Sequence, residues 1–139
     1  MPDILFADTS ALYALLNAKD AFHARVKEIF LSEIARQTKI ITSNFVVDET
    51  TTLLRYRAGF PEAEKFLDII LKGEIAVIHV DTKLESKAIR IFKAYKDKAF
   101  SFTDCTSFAL VDTYKINKTL SFDSDFRKYR FKKYVAVLS

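Results

Sequence analysis

Short runs of consecutive apolar residues alternate along the chain with longer stretches in which apolar residues recur every three to four positions. Ile4-Leu5-Phe6-Ala7 is the first such run; it stops at Asp8, and a helical pattern follows from Ser10 to Leu16. Asp20 is placed to cap a second helix reaching about Ala35, and Lys39 to Thr42 reads as the second strand. A helix from Phe45 to Ala58 ends at the Gly59-Phe60-Pro61 corner, which opens another helix to about Lys72. Ala76 to Val80 is the third strand, with Asp81 capping a helix to about Tyr95. Thr103 to Tyr114 reads as a buried helix, Thr119 to Phe122 as the fourth strand and Val135 to Leu138 as the fifth. Strands apolar throughout, separated by helices, predict a mostly parallel five-stranded sheet covered on both faces: an α/β fold, a three-layer α/β/α sandwich, in one domain spanning residues 1–139.

Composition narrows the function more than the fold. Half of the residues are hydrophobic and 13 are Phe, enough to build a core and exclude disorder. No apolar run approaches the ~20 residues of a membrane span, and Met1-Pro2-Asp3 lacks the basic start of a secretory leader. With a single cysteine, Cys105, no internal disulfide can form, and a cytoplasmic setting is expected. Only two glycines occur, which excludes the glycine-rich phosphate loops of dinucleotide and P-loop enzymes. The two histidines, His23 and His79, adjoin none of the acids considered below, so zinc is a poor fit; Cys105 reads as a small buried hydrophobe.

Functional groups in open parallel sheets gather beyond the carboxyl ends of the strands. Asp8 follows the first strand and Asp123 the fourth, while Asp104 lies in the first turn of the buried helix. Each has an ordinary structural use: Asp8 as a helix cap, Asp104 paired with Ser101 in a capping box, Asp123 in an Asx-turn. Asp81 also follows a strand, and capping alone accounts for it.

Glu49 is different. At about 100° per residue with Phe45 as origin, Val46, Val47, Leu53, Leu54 and Tyr56 span an arc of about 200°, and Glu49 falls inside it at about 40°. Asp48 falls near 300°, on the solvated side. An inward carboxylate requires a partner: a cation such as Arg57, a proton or a metal. Several converging carboxylates repel one another unless a divalent cation joins them, and all-oxygen ligation favours Mg²⁺ or Mn²⁺. Phosphodiester hydrolysis is the chemistry that such a pocket serves.

The segments FADTSALYALL (6–16), VVDETTTLL (46–54), SFTDCTSFALV (101–111) and LSFDSDF (120–126) resemble the PIN-domain family, in particular the VapC-type toxins of toxin–antitoxin pairs. The resemblance covers essentially the whole chain. It implies a metal-dependent endoribonuclease whose metal-holding and catalytic acids fall on Asp8, Glu49, Asp104 and Asp123, with Asp125 as an additional ligand or a substitute for Asp123. Thr9 and Ser10 match hydroxyl positions that orient water or phosphate. It further implies a structured RNA substrate such as tRNA or rRNA, a small VapB-like antitoxin and a homodimer.

Arg127, Lys128, Arg130, Lys132 and Lys133, interleaved with Tyr129, Phe131 and Tyr134, form a candidate RNA-binding segment, or else a solvated loop whose aromatics plug into the core. Two rivals stand beside the toxin reading. One is an RNA-processing PIN nuclease without an antitoxin. The other is a non-catalytic module resembling receiver domains, in which Asp81 would be the phosphoacceptor.

Overall fold

The computed structural model describes residues 3–139; Met1 and Pro2, part of the N-terminal tripeptide weighed above, lie outside the described residues. Five strands, β1 (Ile4–Ala7), β2 (Lys39–Ser43), β3 (Ala76–Ile78), β4 (Lys118–Leu120) and β5 (Ala136–Leu138), form one sheet in the order β3-β2-β1-β4-β5. All four pairings are parallel, so the mostly parallel sheet of the sequence reading is wholly parallel among the described residues. Among the described residues seven helices flank it: α1 (Thr9–Leu16), α2 (His23–Ala35), α3 (Asn44–Arg57), α4 (Phe60–Lys72), α5 (Thr82–Ala94), α6 (Phe102–Thr113) and α7 (Asp125–Lys128).

The apolar runs become strands because both of their faces are covered. Leu5, Phe6 and Ala7 are fully buried at the centre of the sheet, and Leu120 beside them likewise. Helix α6 is buried along Cys105–Val111, where the apolar residues are joined by two small buried polar ones, Thr106 and Ser107. Gly59 and Gly73 bound α4 with positive φ angles of 118° and 77°, conformations that a side chain resists.

Several predicted boundaries move. Asp20 does not cap α2: the N-cap is Phe22, which offers no side-chain acceptor, while Asp20 accepts from the Phe22 N–H at 2.8 Å in an Asx-turn. The strands β3 and β4 end earlier than their apolar runs: the Val80 N–H donates to the Asn44 side chain, and past Ser121, whose N–H still donates to the Leu138 carbonyl at 3.1 Å, the Phe122 N–H turns to Ser10. A four-residue helix not expected from the sequence, α7, ends on the first two residues of the basic segment, Arg127 and Lys128.

The chain runs outward from β1 through β2 to β3, then returns to place β4 on the other flank of β1. The order therefore reverses between β1 and β4, and the crevice beyond their carboxyl ends is where such sheets bind ligands. Receiver domains have the order 2-1-3-4-5, so the receiver reading is excluded. Asp81 follows the edge strand β3, is exposed, and caps α5 by accepting from the Leu84 N–H at 2.9 Å.

At the opposite, amino-terminal end of the sheet, Lys118 pairs with buried Glu33 and with Asp3, and Thr38 donates to Glu33 at 2.9 Å. Burial alone would raise the Glu33 pKa, but the Lys118 and Thr38 hydrogen bonds outweigh it and the net shift is downward. Glu33 is thus held ionised, remote from the candidate chemistry.

Candidate active site

Asp8 stands at the end of β1 with 4% of its surface exposed. One carboxylate oxygen accepts from the Ala11 N–H at 2.9 Å and from the Ser10 hydroxyl at 2.8 Å; the other accepts from Ser121. Ser10 in turn accepts from the Phe122 N–H at 2.9 Å, so the β1 and β4 ends are tied through one hydroxyl. Thr9 Oγ1 is buried without a hydrogen-bond partner among the described residues.

Asp104 is held by a capping box: its N–H donates to Ser101 Oγ at 3.0 Å, and its carboxylate accepts from the Ser101 N–H at 3.2 Å. Asp123 accepts from the Asp125 N–H at 2.9 Å, the predicted Asx-turn. Asp125 contacts Lys128 at 3.5 Å. The capping and turn uses are therefore all real, and they do not compete with a site. In Asp104 and Asp123 one oxygen is anchored to the backbone and the second has no hydrogen-bond partner among the described residues. Oxygens of Asp104, Asp123 and Asp125 lie within 4.8 Å of one another.

Electrostatics register this crowding. Burial pushes the Asp8 carboxyl up to about 6, opposed by the Ser121, Ala11 and Ser10 hydrogen bonds and reinforced by the charge of Asp123. Burial also raises Asp104, to about 7, with the charges of Asp123, Asp125 and Asp8 adding to the rise. Cys105 is fully buried and pushed up to about 11 by burial and by Asp104, so it is no nucleophile.

Glu49 is half-buried, and its side chain makes no hydrogen bond or ion pair among the described residues. The buried stripe of α3 is Val46, Thr50 and Leu54, centred near 140° on the wheel, so Glu49 lies on its shoulder rather than within it. Tyr56, counted in the apolar arc, is 84% exposed. Arg57 does not pair with Glu49; its guanidinium lies over the Tyr13 ring, 6.0 Å from the centroid. What links α3 to the acids is Phe45, one turn before Glu49, whose ring meets Phe102 near the start of α6 at 6.0 Å.

Ser121 was not singled out from sequence, yet it is the residue that holds the second oxygen of Asp8. A lone serine after a short strand carries no periodic signal; only its position two residues before Asp123 could have drawn attention.

In the basic segment, Tyr129 stacks on Phe108 at 4.5 Å and donates to Asp112 at 2.6 Å, and Phe131 packs edge-on against both rings. These two aromatics are partly buried and packed against the core, as the plugged-loop alternative holds. Tyr134 is 85% exposed, and Arg130, Lys132 and Lys133 are exposed. Lys128 is committed to Asp125, while Arg127 donates to the Val137 carbonyl at 3.1 Å and to Ser139 Oγ at 3.0 Å.

Comparison with known proteins identifies the family and the fold. The PIN domain family pattern matches residues 5–132. The chain is similar to the 23S rRNA-specific endonuclease VapC20 of Mycobacterium tuberculosis, 37% identical over 123 residues that cover 88% of this chain and 92% of that one. It is also similar to a VapC ribonuclease of Archaeoglobus fulgidus, 33% identical over 86% of this chain and 76% of that protein. The crystal structure of M. tuberculosis VapC20, described as a sarcin–ricin loop cleaving toxin, superposes with a TM-score of 0.85 at 35% identity, covering 91% and 95% of the two chains. The VapBC2 structure from Rickettsia felis shares the fold at 13% identity, with a TM-score of 0.69. The chain belongs to the PIN-domain family, among its VapC ribonucleases.

Proposed function

We propose that the acidic crevice is a Mg²⁺ or Mn²⁺ centre at which the chain hydrolyses RNA phosphodiester bonds endonucleolytically, as the toxin of a toxin–antitoxin pair. The observation that carries this reading is the set of three carboxylates within 4.8 Å, Asp104, Asp123 and Asp125, with buried Asp8 electrostatically coupled to them. The donor set fits a hard divalent cation: it is all oxygen, and among the described residues its one ion pair is that of Asp125 with Lys128. Asp8, Asp104 and Asp123 would hold the ion, Asp125 adding a fourth carboxylate and Glu49 acting from the shoulder of α3. A divalent cation bound there supplies polarisation of a phosphate oxygen and a lowered pKa for an attacking water.

The protein's own part is positioning. Ser121, Ser10 and the Ala11 N–H fix the plane of the Asp8 carboxylate, and the Ser101 N–H fixes that of Asp104. Thr9, whose Oγ1 is buried and without a hydrogen-bond partner among the described residues, would orient water or phosphate only after its side chain rotates toward the crevice. The likeness to VapC20 points to structured ribosomal RNA as the substrate class. A VapB-like antitoxin and a homodimer complete the reading, in a single cytoplasmic nuclease domain spanning the chain. No described helix is long and apolar enough to cross a membrane.

The test is incubation of the purified protein with ribosomes and total RNA, followed by mapping of new 5′ ends. EDTA should abolish discrete cleavage, and Mg²⁺ or Mn²⁺ should restore it. Undiminished cleavage in EDTA would overturn the metal reading.

Arg130, Lys132 and Lys133 are the cations of the basic segment whose side chains are exposed and make no hydrogen bond or ion pair among the described residues. Their triple substitution by Ala should weaken RNA binding and lower the slope of log affinity against log salt by about 2, roughly 0.7 per lost contact to single-stranded RNA. An unchanged slope would remove the segment from the RNA surface.

A further inference from the structure

Beside the acids, a cleft of about 410 Å³ opens between the start of α2 and the turn after β4, lined by Phe22, Arg25, Ser121, Phe122, Asp123 and Arg127 among others. Phe22 and Phe122 stack nearly parallel, with centroids 4.5 Å apart and planes at 15°. Phe22 nevertheless remains 47% exposed, so its apolar surface is held in place without being buried. It occupies the N-cap of α2, where Ser, Thr, Asp or Asn would stabilise the helix, and the Asp20 turn fixes it there. Helix capping therefore does not account for this phenylalanine.

Two guanidinium groups face the same cleft. Arg25 donates to the Ser139 carbonyl at 3.1 Å and pairs with exposed Glu28 at 2.9 Å. Arg127 donates through one nitrogen to neutral oxygens and has no carboxylate partner among the described residues. Each fork is oriented by these bonds and keeps N–H groups free, the geometry that suits a phosphate. The cleft shares Ser121 and Asp123 with the acidic centre, so an occupant lies next to the bond to be cut.

We infer that this cleft is a nucleotide subsite: it receives the RNA unit adjoining the scissile phosphate, with an unpaired base against the Phe22–Phe122 pair and the phosphate on Arg127 and Arg25. A flat aromatic pair flanked by two cations matches the two faces of a nucleotide, since every base stacks and every linkage carries one negative charge. The inference rests on the nuclease reading above and names how that site grips its substrate.

The chain contains no tryptophan, so Phe22→Trp introduces a single indole at the subsite. In an Asp104→Asn background, which keeps the strand intact, a short single-stranded oligoribonucleotide with Mg²⁺ should quench this fluorescence saturably. Adding Arg25→Ala or Arg127→Lys should weaken that binding about tenfold. In the protein with Asp104 present, Phe22→Ala should raise KM for RNA about tenfold with little change in kcat, and Phe22→Tyr should restore it; stacking losses span ~5–150-fold. Absent quenching, with the Phe22→Trp enzyme still cleaving RNA, would overturn the subsite and leave the nuclease reading standing. No cleavage by the unsubstituted protein would instead sink the nuclease reading. Quenching by an acidic peptide but not by RNA would assign the cleft to a protein partner and overturn the inference.

Discussion

Asp104→Asn is expected to abolish RNA cleavage while raising the melting temperature of the metal-free protein. The two effects have opposite signs because the carboxylate is placed for chemistry at the expense of stability. Asn retains a side-chain oxygen that can accept the Ser101 N–H, so the capping box survives. What disappears is a charge that burial and three neighbouring aspartates disfavour. Removing even a residue that merely supports a metal ligand costs ~10–100-fold, so loss of a ligand should exceed a hundredfold. Relief of repulsion should add a few degrees to the melting temperature, at about 3–5 °C per kcal/mol for a chain of this size. Asp81→Asn is the matched control: an exposed cap on the edge strand, exchanged for a residue that caps about as well, should change neither activity nor melting. Glu49→Gln tests the shoulder position, with activity falling and stability holding if the side chain serves the site. Retained cleavage by Asp104→Asn, or its loss in Asp81→Asn, would overturn the assignment of the centre.

Much of the fold was legible because parallel strands buried on both faces leave unbroken apolar runs, and helices leave a period of 3.6. Ile4–Ala7 and the buried α6 needed nothing else. Helix α7 was not legible: four residues complete one turn and cannot display a period. Asp20 misled because an aspartate ahead of a helical pattern is equally apt for a cap or an Asx-turn, and the choice depends on where the chain must bend to bring Phe22 onto Phe122.

The site was legible in its acids and opaque in their support. Asp8, Asp104 and Asp123 sit where strand ends and a helix start should place them, and their local hydrogen bonds are those that an ordinary cap or turn would make. Those bonds leave the aspartates available because the chain returns to β4 beside β1, a fact of topology that no local pattern carries. Glu49 shows the limit of a helical wheel. Counting Tyr56 and Leu53 as inward widened the apolar arc and drew Glu49 into it, whereas the packed stripe follows Val46, Thr50 and Leu54, one of them a threonine.

The same electrostatics predict an inverted pH dependence of stability once divalent ions are stripped with EDTA. Asp8 and Asp104 titrate near 3.8 when unfolded but near 6 and 7 in the fold. Between those limits the native state binds more protons than the unfolded state, so stability falls as pH rises through about 6–7. For Asp8 alone the shift corresponds to about 3 kcal/mol at neutral pH. Glu33 acts in the other direction: its lowered pKa contributes stability above its unfolded value, lost only on stronger acidification, so it adds little to the difference between pH 5 and pH 8. The EDTA-treated protein should therefore melt lower at pH 8 than at pH 5. Mn²⁺, which binds the ionised cluster of the folded state alone, should raise the melting temperature far more at pH 8, where no proton competes. The Asp8→Asn/Asp104→Asn double variant should lose both the pH slope and the Mn²⁺ response. Scanning calorimetry across this pH range decides the point: a flat profile in EDTA, or a double variant that keeps the slope, would show that these carboxylates do not bear the strain assigned to them.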